Sequence, residues 1–418
     1  MIKQICENLK ALALEFENYN SRLYIVGGCV RNYLLGLPTH DIDICGSLTP
    51  DQVQEICKKY NYHCVIINKK LGTLLITKAD QRYEYTTFRK ENYIKGNHSP
   101  NKVEFVLDIK QDAKRRDFTI NSIYYDVLNN EIIDFYKGTK HIKDKIIKCV
   151  ETPDFVFSAD GLRLLRLVRF ASELGFNVDK KTLKTAKAYS FMLKDISKER
   201  ITAELMQIVT SDFKYNKTFK GIELLNKLNL YKYIFNLSYD FNIKNNIYYK
   251  QFITSDNQTR YFCFLILVLL NYFNFKLTSY NNLVFTVNKL FGNEGIKCGL
   301  DLKSIIKTFC VIQQYMFEKN NIFLYVNYHN LNVLEKTVVN VYCNKQYISQ
   351  KILQLKLAKV PLKESDLQIT NKQLLEVVAS KNVSKIKKEL FYLCLQNKLQ
   401  NQTEQLLKMA EQLNNILK

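Results

Sequence analysis

The sequence predicts an α+β fold, with an N-terminal α/β head followed by an all-helical neck, body and tail. In roughly the first 140 residues, β-rich segments alternate with helical patterns. After about residue 150, Leu, Ile, Phe and Lys recur at helical spacing, and the whole chain contains only five prolines. We therefore predict a head over 1–140, a neck over 141–215 and a body and tail over 216–418.

The head is expected to contain a single sheet flanked by helices. Its predicted strands are LYIV (23–26), DIDIC (41–45), CVIIN (64–68), TLLIT (73–77), RYEYTTF (82–88) and VEFV (103–106). Its predicted helices cover residues 3–17, 29–36, 51–60 and 117–126. Beyond the head, the pattern predicts helices over 162–176 and 201–211 and an amphipathic, Lys-rich segment over 381–418.

The net charge of +21 favours an anionic partner, either nucleic acid or an anionic membrane surface. The apolar stretch 262–275 is shorter than the roughly 20 residues of a spanning helix, so we predict a buried core helix and no membrane partner. The eleven cysteines show no CxxC pair or zinc-ligand spacing, and the N-terminus lacks a signal-peptide pattern. These features indicate reduced thiols and a cytoplasmic protein.

A glycine turn opens the strongest local signal in the head. A predicted strand ends at Val26, and Gly27 and Gly28 allow a sharp turn and close approach of a ligand. A helix then begins near Cys29, so its free amides and Arg31 can face a phosphate. Two glycines alone are more typical of a plain turn, so this segment needs support from its neighbours.

That support is a pair of aspartates on the next strand. Asp41 and Asp43 are two residues apart, so both carboxylates project from one face while Ile42 and Ile44 point to the core. Two carboxylates held this close favour a divalent cation, as phosphoryl transfer requires. The alternative is a solvated edge strand with two exposed aspartates. Glu84 is the best candidate for a third carboxylate, or else simply an exposed strand residue.

The segment GGCVRNYLLGLPTHDIDI (27–44) resembles the first motif of the class II tRNA nucleotidyltransferases, GGxVRDxLLGxxxxDxDI, with Asn32 where Asp is usual. This family contains the bacterial and eukaryotic CCA-adding enzymes and related bacterial poly(A) polymerases. Four more family-like stretches follow in the family's order: YTTFR (85–89), RRDFTINSIYYD (115–126), DGLRLLRLVRF (160–170) and KERITAEL (198–205). The resemblance covers residues 22 to about 210.

The resemblance implies a polymerase-β-like nucleotidyltransferase head and addition of CCA to tRNA from CTP and ATP, with release of pyrophosphate. It implies Mg²⁺ bound by Asp41 and Asp43. It also implies nucleotide contacts from Gly28, Arg31, Arg116, Asp117, Asn121, Asp160, Arg163, Arg166 and Arg169. Taken alone, the RRDFTIN segment could also be a capped helix start.

Asp160, Arg163, Arg166 and Arg169 recur at a spacing that lines one helical face. In isolation, an exposed charged face would be the simpler interpretation. However, cytosine and adenine both present an amino donor beside a ring-nitrogen acceptor, which an Asp acceptor and an Arg donor match. In the resembled family, such a pair in an EDxxR motif selects C and A over U and G, and the two later arginines reach the triphosphate. Here Ala159 replaces that Glu, which bears on how Arg163 is oriented.

Several functions share this chemistry. Addition of CC only, of A only or of a poly(A) tail are alternatives to full CCA addition. Residues 90–102 occupy the place of the family's flexible loop, which favours full addition. A catalytically inactive tRNA-binding protein and a generic basic nucleic-acid-binding protein explain the charge but not the intact aspartates and ordered motifs. The Lys-rich helical half suits tRNA recognition by shape and phosphates, and no obligate protein partner is evident.

Overall fold

The computed structural model describes residues 2–39, 41–78, 81–92, 102–210, 218–235, 256–273, 276, 278–291 and 302–417. The chain forms two compact units, Met1–Ile243 and Lys244–Lys418. The described strands all belong to the first unit, and the described elements of the second are helical, which confirms the predicted α+β class. The finer division at residues 140 and 215 stays a prediction.

The first unit contains all described strands and the first eleven described helices. The strands are β1 (Tyr24–Val26), β2 (Ile42–Gly46), β3 (His63–Asn68), β4 (Thr73–Lys78), β5 (Gln81–Thr87), β6 (Arg89–Asn92), β7 (Lys102–Phe105), β8 (Tyr124–Asp126), β9 (Ile132–Ile133), β10 (Ile146–Ile147) and β11 (Asn177–Val178). The helices are α1 (Ile2–Asn18), α2 (Gly28–Leu35), α3 (Pro50–Lys59), α4 (Ile109–Lys114), α5 (Gly138–Lys143), α6 (Pro153–Ala159), α7 (Leu162–Leu174), α8 (Lys180–Ala188), α9 (Lys198–Thr210), α10 (Thr218–Lys227) and α11 (Leu230–Ile234).

The main sheet has seven strands in the order β3-β4-β5-β2-β1-β8-β9. Only the β2–β5 pair among them is parallel, and its register sets Asp43 beside Glu84. The prediction that 103–106 joins this sheet is wrong, because β7 pairs with β6 in a separate ribbon. Glu91 of β6 is held in ion pairs with Arg89 and Arg115 rather than packed against the apolar core of the main sheet.

The helix predicted over 117–126 is also wrong. This segment forms a 3₁₀ turn, Thr119–Asn121, and then β8, which pairs antiparallel with β1. The Asp117 carboxylate accepts the N–H of Phe118 at 2.7 Å, which favours a turn over a continuing helix. The adjacent tyrosines Tyr124 and Tyr125 favour a strand.

Helix α7 positions much of the functional site, because it buries one face and presents another to a cavity. Leu164, Leu165, Leu167 and Val168 are fully buried, and the helix packs against α9 and α10. Burial of each such side chain contributes about 1.5–3 kcal/mol. The helix ends at Gly175, whose φ of 67° permits the left-handed C-cap.

The second unit is helical throughout its described part. Its helices are α12 (Asn257–Tyr272), α13 (Tyr280–Phe291), α14 (Leu302–Phe317), α15 (Ile322–His329), α16 (Val333–Tyr342), α17 (Lys345–Leu357), α18 (Asn371–Val377), α19 (Val383–Leu395) and α20 (Thr403–Ile416). Residues 261–270 of α12 are at most 2% exposed, which confirms the predicted core helix. In the described part of the chain, no helix is long and apolar enough to span a membrane.

The Lys-rich segment over 381–418 forms two helices rather than one. Helices α19 and α20 are separated at Asn397, which has a φ of 56°. Both helices contribute buried apolar residues, including Leu390 and Leu406, to one core cluster. The predicted amphipathic pattern is confirmed, because the apolar side chains pack inward while most of the lysines stay exposed.

Candidate active site

A cavity of about 620 Å³ in the first unit collects the residues that sequence analysis selected. Its walls include all twelve of them: Gly28, Arg31, Asp41, Asp43, Glu84, Arg116, Asp117, Asn121, Asp160, Arg163, Arg166 and Arg169. The sequence analysis did not select eight further lining residues as site residues: Gly27, Asn32, Pro38, Thr39, Arg115, Leu162, Phe170 and Arg200. The cavity lining therefore contains both the carboxylates of Asp41, Asp43 and Glu84 and several arginine side chains.

The acidic wall is built on β2 and β5. Asp41 lies just before β2, and Asp43 lies on it beside Glu84 of β5. Burial raises the pKa of Asp43, as does the carboxylate of Asp41, while Arg116 opposes the shift. The pKa of Glu84 is likewise raised by burial and by both aspartates. Negative charges gathered here are therefore costly without a cationic ligand.

The donor set suits a hard divalent cation only in part. Carboxylate oxygens are preferred ligands of Mg²⁺. Within the described residues, no three His, Cys, Asp or Glu side chains come together as a metal-binding group. A cation held by Asp41 and Asp43 would therefore take its other ligands from substrate oxygens and water, as Mg²⁺ commonly does at phosphate sites.

The glycine turn closes the cavity beside Asp43. Gly27 has a φ of 74°, and a Cβ added there would lie 3.4 Å from the Asp43 Oδ2. Glycine is therefore favoured here by the positive φ of the turn, since a Cβ would make only an ordinary contact with Asp43. Helix α2 begins at Gly28, so its first amides lie at the cavity wall.

Arg31 lies in the first turn of α2 and is held by two amide side chains. It donates to the Asn121 Oδ1 at 2.6 Å and to the Asn32 Oδ1 at 3.0 Å. Burial lowers the pKa of Arg31 to about 10, which leaves it positively charged at neutral pH. Because both of these acceptors are neutral, neither compensates that charge, and Asn32 replaces the aspartate of the resembled motif.

Arg116 is fixed by a buried carboxylate. Asp112, which is fully buried, accepts from the Arg116 Nη2 at 3.1 Å and from the Tyr124 hydroxyl at 2.8 Å. Burial alone would raise the pKa of Asp112, but Arg115 and Arg116 outweigh it and lower this pKa to about 2. The anchored guanidinium of Arg116 lies near Gly27 and therefore near the acidic wall.

Asp117 and Asn121 connect two of the arginines. The Asp117 Oδ2 accepts from Arg166 Nε and Nη2, both at 2.7 Å, and its Oδ1 accepts from Asn121 at 3.3 Å. Burial opposes ionisation of Asp117, yet Arg166 and Arg163 outweigh it and lower its pKa. Asn121 also accepts from Arg31, so these two side chains position arginines at the cavity wall.

Phe170 is the least expected member of the site. Its ring is 4% exposed, and the guanidinium carbons of three arginines surround it. Those of Arg31, Arg166 and Arg169 lie 5.1, 5.2 and 4.4 Å from the ring centre. The Phe170 ring thus stabilises three neighbouring guanidinium groups through cation–π interactions. The i, i+4 spacing of Arg166 and Phe170 is the sequence signal that could have suggested this contact.

Arg169 differs from Arg166 in its ionic partners. Its Nε donates to the Glu204 Oε2 at 2.7 Å, and its Nη1 lies 3.4 Å from the Glu173 Oε1. Glu204 belongs to α9, within the family-like stretch KERITAEL. Arg169 lines the cavity, but its charge is partly compensated by these two carboxylates.

Arg163 lies in the first turn of α7, whereas Asp160 lies in extended backbone just before this helix, so the prediction of one helical face is wrong for Asp160. The Asp160 Oδ1 accepts the N–H of Leu162 at 2.9 Å, and its Oδ2 accepts from Arg200 at 3.1 Å. Arg163 donates to two backbone carbonyls, those of Arg115 at 2.7 Å and Val156 at 3.3 Å. Arg163 is therefore oriented by the backbone, without the carboxylate that Ala159 replaces.

The loop expected to govern the change from C to A addition lies largely outside the described residues. Strands β6 and β7 border it, and residues 93–101 fall in the gap. Its role stays a prediction.

Two protein-family models match parts of this chain. The model for the poly(A) polymerase head domain matches residues 23–148, which contain the acidic wall, the glycine turn and Arg116. The model for the probable RNA- and SrmB-binding site of polymerase A matches residues 175–238. These two regions follow one another in the first unit.

The CCA-adding enzyme of Staphylococcus epidermidis is 34% identical over 234 residues, which is 56% of this chain and 56% of that enzyme. The chain thus matches little more than half of this curated relative's length. The Bacillus stearothermophilus CCA-adding enzyme in complex with CTP covers 98% of both chains, with a TM-score of 0.64 and 21% identity. The Thermotoga maritima CCA-adding enzyme complexed with tRNA covers 97% of this chain and 95% of its own, with a TM-score of 0.61 and 19% identity. At these identities the two structures establish the fold.

Proposed function

We propose that this chain, which matches the poly(A) polymerase head-domain model and is similar to CCA-adding enzymes, adds C and A residues to the 3′ end of tRNA. The substrates would be CTP and ATP, with pyrophosphate released. The observation that carries the proposal is the single cavity in which a paired-aspartate strand faces a cluster of arginines. Acidic groups beside several cations suit a metal-bound triphosphate and an attacking hydroxyl.

Asp41 and Asp43 would hold Mg²⁺, and their hard oxygen donors support that choice. When bound, the ion would neutralise phosphate charge and favour ionisation of the attacking 3′-OH. Glu84 is the neighbouring carboxylate on β5, where it would add negative charge beside the two aspartates. The raised pKa values of Asp43 and Glu84 agree with a wall that needs a cation.

The triphosphate would lie against Arg31, Arg116 and Arg166. Arg31 has neutral acceptors, and its location at the start of α2 adds free helix amides. Arg116 and Arg166 are each fixed by a buried aspartate, which orients them before the nucleotide binds. Arg169, with its two glutamates, would contribute mainly to the field around Phe170.

Asp160 and Arg163 would select the base. A carboxylate acceptor and a guanidinium donor match the amino group and ring nitrogen of cytosine and adenine, and they oppose uracil and guanine. Asp160 is fixed by Leu162 and Arg200, and Arg163 by two carbonyls, so the pair is rigid enough to act as a template. Discrimination would then need no nucleic-acid template.

The net charge of +21 supports tRNA as the partner, and we propose a cytoplasmic location. The decisive test incubates a tRNA that ends before CCA with each nucleotide and resolves the products by single-nucleotide length. CTP with ATP should give three added residues, and UTP or GTP none. A product that stops after CC, a requirement for a CC end, or a long A tail would identify the corresponding partial or poly(A) activity. No addition by the intact chain on any tRNA would refute the proposal.

A further inference from the structure

A second cavity, of about 890 Å³, adjoins the candidate active site. Its lining residues include Phe155, Tyr189, Lys90, Lys114 and Arg115. Arg115 lines both cavities, which are therefore neighbours. The backbone makes a second connection, because Ala159 lines this cavity and the next residue, Asp160, lines the other.

Aromatic rings are available at the wall of this cavity. Phe155, on α6, is 47% exposed and lines this cavity, so part of its ring is open to a ligand. Tyr189 is half-buried and stacks on Phe191 with ring centres 6.0 Å apart and planes 24° apart. Such rings offer π-faces on which nucleobases stack without regard to sequence.

The charged residues of the lining are three basic, Lys90, Lys114 and Arg115, and two acidic, Glu91 and Asp154, so the basic residues are in slight excess. Glu91 is engaged by Arg89 at 2.6 Å and Arg115 at 3.3 Å, which compensates its charge. Lys90 and Lys114 are exposed, and the Glu151 carboxylate lies 3.9 Å from the ammonium of Lys114. Asp154 is the other carboxylate in the lining. Basic groups beside exposed aromatic rings are typical of single-stranded nucleic-acid sites.

Ala159 has no charged side chain to place at this wall. The resembled motif has a Glu here, whose carboxylate would add negative charge to this wall. Arg163 does not need that carboxylate, because the carbonyls of Arg115 and Val156 orient it. The alanine thus adds no negative charge beside Arg115, which lines both cavities.

We propose that this second cavity holds the 3′-terminal nucleotides of the RNA being extended, with the base before the reacting end stacked on Phe155. The inference rests on the proposed function, because it assumes that a 3′-OH enters the neighbouring cavity beside Asp41 and Asp43. A strand whose last ribose lies there would place its preceding nucleotides in the second cavity, because Arg115 lines both cavities. The volume falls in the range of about 300–1,000 Å³ common for ligand sites.

The test uses the full chain and a tRNA that ends before CCA, with 2-aminopurine at the penultimate position. Phe155→Ala should raise the KM for this tRNA about 5- to 150-fold, the effect of one lost base stack, and leave the KM for CTP unchanged. Binding should quench 2-aminopurine fluorescence in the wild type and not in the variant. Phe135→Ala is the matched control, since Phe135 is 39% exposed and is not part of either cavity's lining.

A second variant tests the charge. Lys114→Gln should weaken tRNA binding and reduce the slope of the log binding constant against log salt concentration by about 1. Lys143 in α5 is also exposed, and Lys143→Gln should change neither quantity. Unchanged tRNA KM and quenching in Phe155→Ala would overturn the proposal. An equal rise in the KM for CTP would overturn it too, because the cavity would then serve the incoming nucleotide.

Failure of the proposed function is distinguishable from failure of this inference. If the intact chain adds no nucleotide to any tRNA, the proposed function fails, and the binding measurement still decides the cavity. Quenching that Phe155→Ala abolishes would support the RNA site even then, and absence of quenching by the wild type would overturn it.

Discussion

Replacement of Phe170 by leucine tests how the arginine cluster is held together. The ring is 4% exposed and has the guanidinium groups of Arg31, Arg166 and Arg169 within 5.2 Å of its centre. Leucine keeps most of the apolar volume and removes the ring quadrupole that attracts the cations. The variant should therefore loosen the arginines without introducing a polar group.

The expected magnitude follows from the three contacts. Each cation–π interaction is worth about 0.5–1 kcal/mol when exposed and about 2 when desolvated. Mutual repulsion among the three cations makes their sum an upper bound, so we expect a net loss of about 1.5–3 kcal/mol in organising the site. If the triphosphate depends on that organisation, the KM values for CTP and ATP should rise about 10- to 150-fold.

Steady-state addition assays with a tRNA lacking CCA would measure this effect. The KM values for CTP and ATP should rise together. The preference for C and A over U and G should be unchanged, because none of the contacts described for Asp160 and Arg163 involves the Phe170 ring. Phe176→Leu serves as the control, since Phe176 is 1% exposed and outside the cavity lining. Urea unfolding of both variants would separate a loss of stability from a loss of binding. An unchanged KM in a folded Phe170→Leu protein, or a changed base preference, would refute the reasoning.

Four further predictions concern other parts of the site. Replacing Asp41 or Asp43 by alanine should abolish nucleotide addition while tRNA binding, measured by a gel shift, persists; near wild-type turnover by either variant would contradict the metal assignment. Asp160→Asn should reduce discrimination against U and G by about 1–3 kcal/mol, and a slower enzyme with an unchanged preference would instead indicate a structural role. Deletion of residues 92–99 should retain CC addition and remove A addition, and a deletion variant that completes CCA would exclude the loop as the switch. Asp112→Asn should destabilise the fold by about 3–5 kcal/mol at pH 7, because it leaves buried arginines without their carboxylate. Since the pKa of Asp112 is lowered from 3.8 to about 2, about 2 kcal/mol of wild-type stability is present above pH 4 and lost as the pH falls towards 2. Urea unfolding at several pH values should show the difference between the two proteins shrinking over that window, and a constant difference would argue against the ion pairs.

Local periodicity was sufficient to predict the two aspartates of the acidic wall, whereas Glu84 joins them through the pairing of β2 with β5. A strand places residues i and i+2 on one face, so Asp41 and Asp43 follow from the backbone repeat alone. The glycine turn is equally local, because Gly27 has the positive φ that its position before α2 requires. Helix α7 could also be predicted, since its apolar residues recur at the helical period and its arginines fall on another face.

Contacts between distant segments could not be predicted in the same way. Arg200 donates a hydrogen bond to Asp160, although the two residues are 40 positions apart in the sequence. Arg163 donates to the backbone carbonyl of Arg115 and not to its side chain. The helix predicted over 117–126 is wrong because Asp117 favours a turn and β8 pairs with β1, a partner that spacing within the segment does not specify. Each of these depends on which segments meet, which spacing along one segment does not specify.

At Ala159 the sequence motif and the structure lead to different expectations for Arg163. By its residues, the motif lacks the group expected to orient Arg163. In the fold, the carbonyls of Arg115 and Val156 accept from that guanidinium, and both are backbone atoms that a side-chain substitution leaves in place. The orientation of Arg163 should therefore tolerate changes at position 159 and depend on the path of the backbone at Arg115. Because the Arg115 side chain is itself fixed by Asp112 at 2.8 Å, the buried carboxylate that anchors Arg116 also stabilises the carbonyl that orients Arg163.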